Sequence, residues 1–158
     1  MSTFKRNPLS DDAAKTVCSC LQETLPVLTD LAISAKQIHW NIVGKQFLSV
    51  HVKLDEVVKT ARDGADVVAE RMVQLGHAAD GRANIVAEHG GLSSDLSKDF
   101  MDVQAGLTAI CDRLLKTSQQ LRKAIDGVGD LDPMTEDYLI AMNQEIEEQL
   151  WMMQAMES

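Results

Sequence analysis

Aromatic residues make up only 4% of this 158-residue chain, and there are three prolines. With so little of either, and few β-branched clusters, a sheet-rich sandwich or barrel is disfavoured and an all-α fold is expected. There are three cysteines, Cys18, Cys20 and Cys111. An odd count without framework spacing excludes a disulfide scaffold and fits reduced thiols packed as small hydrophobes. Cys18 and Cys20 diverge by ~200° around a helix, so they do not chelate one ion together. Basic residues are also scarce, 15 against 24 acidic, for a net charge of −9. That balance argues against a strongly basic nucleic-acid binder and suits a surface that attracts cations. No apolar run could span a bilayer, and none near the start resembles a secretory signal. The expected location is therefore the cytoplasm, with no membrane partner.

Hydrophobic residues make up 45% of the chain, enough for one domain with a real core. Residues 1–9, with Lys5, Arg6 and Pro8, read as a flexible tail, and residues 10–158 as a single domain. Ser10 or Asp11 caps a first helix that ends near His39 or Asn41, with Pro26 as a kink or a lost hydrogen bond. Residues 41–46 contain Gly44 and read as a turn. A second helix covers residues 47–75, and Gly76 stops it. Gly64, inside that helix, is assigned to a close helix–helix crossing at a two-fold axis between two copies of the chain. Residues 76–97 are irregular, with a short helix near residues 84–89. A third helix covers residues 97–126 and ends at Gly127 and Gly129. Asp132 and Pro133 open a fourth that reaches residue 156. The methionines along it read as core filler. Four long helices with a long central loop make a four-helix bundle. No Glu-x-x-His pair is present, so a di-iron site inside the bundle is not expected.

The second helix carries the chemistry. His51, Asp55, Asp66 and Glu70 fall within about 100° of one another around its axis, opposite Val50, Leu54, Val57, Ala61, Val68 and Met72. At ~1.5 Å per residue, His51 and Glu70 lie roughly 28 Å apart, too far to share an ion within one chain. Two copies packed antiparallel about a two-fold axis solve this. In such a pair the facing residue numbers have a constant sum, and His51–Glu70 and Asp55–Asp66 share the same one. One register thus brings His51 and Asp55 of one chain to Asp66 and Glu70 of its mate, and makes two equivalent sites. Lys59 and Arg62 lie on the same stripe and are candidates to pair with these carboxylates. The donor set suits Fe(II) and does not exclude zinc.

The run Lys36-Gln-Ile-His-Trp-Asn41, then Gly44, Phe47, His51-x-x-x-Asp55 and Asp66-x-x-x-Glu70-Arg71, with Trp151-Met-Met near the end, resembles the Dps mini-ferritins, the DNA-binding proteins from starved cells. The resemblance covers essentially the whole chain. It implies a ferritin-like four-helix bundle with a short helix in the loop between helices 2 and 3, assembled as a hollow dodecameric shell. It implies a ferroxidase site at the two-fold interface. His39, His51 and Asp55 would come from one subunit, and Asp66 and Glu70 from the other. Trp40 would lie beside that site and absorb stray oxidising equivalents, or pack in the interface. Fe(II), as one or two ions per site, would be oxidised by hydrogen peroxide or oxygen and stored as ferric mineral, protecting the cell and its DNA.

The resemblance also implies an acidic iron-entry pore at the start of the last helix. Asp137 matches its most regular aspartate, with Asp126, Asp130, Asp132 and Glu136 nearby. Many members carry a mineral-nucleating glutamate directly after the second site histidine. Here Val52 and Lys53 follow His51, leaving Glu56 and Asp63 as nucleation candidates. DNA is the partner with least support, since Lys5 and Arg6 are the tail's only cations. The rival function is a nucleoid-associated DNA-compacting protein with secondary metal binding.

Overall fold

In the computed structural model, which describes residue 4 and residues 6–157, α1 spans Asp11–Asn41. Ser10 caps it, its hydroxyl accepting from the Ala13 amide at 3.3 Å. Asp11 and Asp12 lie in its first turn, where the helix dipole favours acids. The helix runs unbroken through buried Pro26. The missing proline N–H leaves the Gln22 carbonyl without its usual intrahelical donor, which is the cost paid there. Helix α2 follows at Phe47–Gln74, short α3 at Ala83–His89, α4 at Val103–Val128 and α5 at Pro133–Glu157.

Helix α1 packs on α2, α4 on α5, α1 on α4 and α2 on α5, while α3 lies against α1. Long-range contacts give the directions. Cys18 Sγ approaches the Met72 carbonyl and Gln37 reaches the Ser97 carbonyl, whereas Lys123 pairs with Glu23. The two short-loop hairpins therefore lie side by side, and the crossover between α2 and α4 runs the length of the bundle. The core is one cluster from all four long helices, including Leu21, Leu28, Leu54, Ile110, Leu114, Leu139 and Ile146.

Three sequence expectations change. First, α4 begins six residues later than its helical pattern suggests, because Ile42–Val43 (β1) pairs in parallel with Met101–Asp102 (β2). Asp102 then caps α4 by accepting from the Gln104 amide at 2.9 Å. Gly106 makes this seam possible, since a Cβ there would lie 2.5 Å from Ile42 Cγ2. At its other end α4 passes through Gly127 and stops at Gly129, with φ of +24° and a 3-10 turn to Leu131. Second, Gly64 is buried, and a Cβ would meet Met142 Sδ at 2.9 Å. The missing side chain thus serves α2–α5 packing within the subunit and not a crossing at a two-fold. Third, part of the expected tail is fastened down. Asn7 Nδ2 donates to the Leu75 carbonyl at 2.8 Å, Asn7 Oδ1 accepts from the Leu9 amide at 3.0 Å, and Leu9 packs on the core. Residues 1–3 and 5, with Lys5 among them, lie outside the described residues. Among the described residues no helix is long and apolar enough to cross a membrane.

Candidate metal centre

The last turn of α1 and the first turns of α2 sit side by side because the connection between them is short. His39, 6% exposed, stacks on His51 with ring centroids 3.6 Å apart. Phe47 leans on the outer side of His51 at 4.9 Å. Each histidine fixes the other through the backbone. His39 Nδ1 lies 2.8 Å from the His51 carbonyl, and His51 Nδ1 lies 3.0 Å from the His39 carbonyl. A carbonyl can only accept, so both Nδ1 atoms carry the proton. In the neutral rings the lone pair then sits on Nε2, the state a metal requires.

Asp55 stands one turn along α2 from His51. Its Oδ1 lies 3.6 Å from His39 Nδ1 and accepts a hydrogen bond from Lys36. That bond and the Lys36 ammonium charge hold the Asp55 carboxyl below the usual carboxylate range. The structure thus sets an ionised Asp55 carboxylate against His39, and stacks His39 on His51.

Asp66 and Glu70 are on the same helix but further along it, about 16 Å beyond Asp55 for the nearer of them. Both are exposed. Among the described residues of one chain, no three metal-ligating side chains converge on a common point. Trp40 is 65% exposed next to His39. With Ile33, Lys36, Gln37, Arg62 and Asp66 it lines a groove of about 550 Å³ between α1 and α2. Lys59 does not reach a site carboxylate in the subunit, because it pairs with Asp63 one turn along its own helix.

The other candidates separate by burial. Asp126, Asp130 and Asp137 are exposed and Glu136 is half-buried. Asp132 is 3% exposed and cannot line an aqueous pore. Its Oδ2 accepts from Arg71 at 2.8 Å and from Thr135, while Arg71 Nε also donates to Thr135 Oγ1 at 2.9 Å. Asp132 is therefore a structural anchor between the end of α2 and the start of α5. Its fate is invisible in sequence, where an acid before a helix looks like any other. The nucleation candidates are both exposed and both paired with lysines of their own helix, Glu56 with Lys53 at 2.5 Å and Asp63 with Lys59. Val52 is 53% exposed in an apolar groove with Leu48 and Trp151. Arg6 is exposed.

Lys36 and Arg71 have contacts that motif reading did not assign. The spacing held a hint for Lys36, which stands three residues before His39 and so shares its helix face.

Comparison with known proteins follows the same lines. The family model described as ferritin-like domain matches residues 19–157. The chain is 35% identical over 157 residues to the DNA protection during starvation protein of Agrobacterium fabrum, covering 98% of this chain and 96% of that one. Among solved structures, Mycobacterium smegmatis Dps in a tetragonal form superposes with a TM-score of 0.90 at 35% identity, covering 98% of this chain and 93% of that one. Dps from Microbacterium arborescens in a high iron form gives a TM-score of 0.89 at 29% identity, covering 95% and 97%.

Proposed function

The chain belongs to the Dps family of ferritin-like proteins, and on that premise we propose that it oxidises Fe(II) at sites shared between subunits and stores the ferric product inside a closed shell. The observation that carries this reading is the reciprocal lock of His39 and His51. It directs both Nδ1 atoms to backbone carbonyls, so that in the neutral rings each Nε2 keeps its lone pair, with the ionised Asp55 carboxylate against the His39 ring. Imidazole nitrogen with carboxylate oxygen suits Fe(II), and the carboxylates stabilise the ferric state that follows.

The cluster is half of a site. In the antiparallel register, Asp66 and Glu70 of a second copy complete it, and the exposed Trp40 and Ile33 beside it become interface. A dodecamer built on such pairs is the assembly we propose, with Fe(II) entering past Asp126, Asp130, Glu136 and Asp137. Zinc can occupy the same donors without turnover. Hydrogen peroxide is the favoured oxidant. Two Fe(II) ions supply one electron each, the O–O bond breaks, and two protons are taken up to give two Fe(III) and two waters. Paired delivery avoids releasing a hydroxyl radical. The product is then held as mineral, with Glu56 and Asp63 as the nucleation candidates on α2.

The test is anaerobic Fe(II) loading followed by peroxide, with absorbance and radical trapping, on the wild type and on Asp66→Ala/Glu70→Ala. The reading expects fast oxidation at about one peroxide per two Fe(II), little radical, and loss of both features in the variant. Oxidation no faster than free iron would overturn it.

The names of the relatives favour a second reading, DNA protection by direct binding in the nucleoid. The basic residues Lys5 and Arg6 would make the contact, against a chain of net charge −9. A gel shift across salt concentrations separates the two, since no shift even at low salt removes DNA as a partner.

A further inference from the structure

The candidate centre already holds a cation of its own. Lys36 lies one turn before His39 on α1, and its ammonium donates to Asp55 Oδ1 while lying 3.5 Å from His39 Nε2. Because His39 Nδ1 is committed to the His51 carbonyl, Nε2 is the atom with the lone pair. The ammonium thus rests between a carboxylate oxygen and an imidazole lone pair, the two kinds of donor that an incoming divalent ion needs. We propose that Lys36 is a resident counter-ion of the empty site, which a metal must displace before it binds, and so a determinant of which cations enter.

The proposal rests on the inter-subunit metal site described above. Without Lys36, assembly would bring Asp55 against the Asp66 and Glu70 carboxylates of a second copy, with Arg62 as the one remaining cation lining the groove between α1 and α2 among the described residues. The ammonium offsets that repulsion in the metal-free assembly. Its side chain is 25% exposed on a flexible four-carbon stem and borders the groove of Gln37 and Trp40, so it can swing out. A monovalent ion gains nothing by replacing an ammonium of equal charge that already has its hydrogen bond. A divalent ion brings a second charge and a lone-pair bond to Nε2, and displaces it.

The experiment uses Co(II) in the absence of oxidant, read by its visible absorption and by calorimetry, on the wild type, Lys36→Met, Lys36→Gln, Lys36→Arg and Asp55→Asn. Circular dichroism checks that each variant folds. Removing a charge-assisted hydrogen bond from the empty state should tighten Co(II) binding about tenfold or more in Lys36→Met and Lys36→Gln. Lys36→Arg should keep the weaker, wild-type-like affinity. The metal-free assembly of Lys36→Met should dissociate more readily, and Co(II) should restore it. Equal Co(II) affinities in the wild type and the neutral variants, with binding lost in Asp55→Asn, would overturn the role of Lys36 and leave the site standing. Absence of Co(II) binding in both the wild type and Lys36→Met, or binding that survives in Asp55→Asn, would remove the site itself and the proposal with it.

Discussion

Arg71 shows how one side chain decides the character of another. Burial alone would raise the Asp132 carboxyl, but hydrogen bonds from Arg71 and Thr135 and the guanidinium charge outweigh it and hold it below the ordinary value of 3.8. A carboxyl depressed in the folded state contributes stability above its unfolded pKa and loses it as pH falls through the folded value. Arg71→Ala should therefore cost about 3 kcal/mol at neutral pH, since it leaves a buried acid without its partner. Urea denaturation at neutral pH, repeated at pH 3, checks this, and the gap between variant and wild type should shrink in acid. The thiols make an opposite case. Burial pushes Cys18 up to about 11 and, together with Glu157, Cys111 up to about 12. Neither carries appreciable thiolate near neutrality, so a disulfide reagent at pH 8 should label both far more slowly in the native protein than in urea. Fast native labelling of Cys18 or Cys111 would contradict their burial.

At the scale of helices, the α2–α5 contact depends on a residue with no side chain. Gly64→Ala gains helix propensity but drives a Cβ against Met142 Sδ at 2.9 Å, and Gly64→Val adds branches that the flexible methionine cannot clear. The alanine should be near neutral and the valine should cost about 2 kcal/mol, measured as a shift in the denaturation midpoint with unchanged slope. The same glycine explains an error of sequence reading. Its height along α2 matches the proposed two-fold, but its azimuth lies on the apolar stripe with Val57, Ala61 and Val68, which faces the core. Helix boundaries erred for a related reason. The pattern before Val103 is compatible with helix, but Met101 and Asp102 are drawn into pairing with Ile42 and Val43 from the far end of another element. Window-based periodicity contains no term for that partner.

For the molecule as a whole, the separation of the ligands along α2 makes a prediction that a site within one chain cannot share. Consider one variant lacking the first half-site, His51→Ala/Asp55→Ala, and another lacking the second, Asp66→Ala/Glu70→Ala. Each alone should be inactive. Co-assembled about a two-fold, the mixed pair carries one site with all its ligands and one that keeps only His39. Activity should return to about a quarter of wild type if the two chains assort at random. No recovery after verified co-assembly would place the ligands of a working site on a single chain.

The helical class, the number of long helices and the amphipathic face of α2 were legible in the sequence, as was the ligand spacing along α2 that points to a second copy. Each follows from periodicity, composition and the fixed rise of a helix, which are local quantities. The motif around His39 was legible only through resemblance, because nothing local says that the end of α1 lies against the start of α2. Tertiary structure decided what depends on neighbours remote in sequence. It stacked His39 on His51 and fixed their protons by exchanged carbonyls. It set Lys36 on Asp55, buried Asp132 under Arg71, turned Gly64 toward Met142 and fastened Asn7 to Leu75. A sequence specifies which residues share a helix face, but the charge state, exposure and reach of each depend on what packing places opposite it.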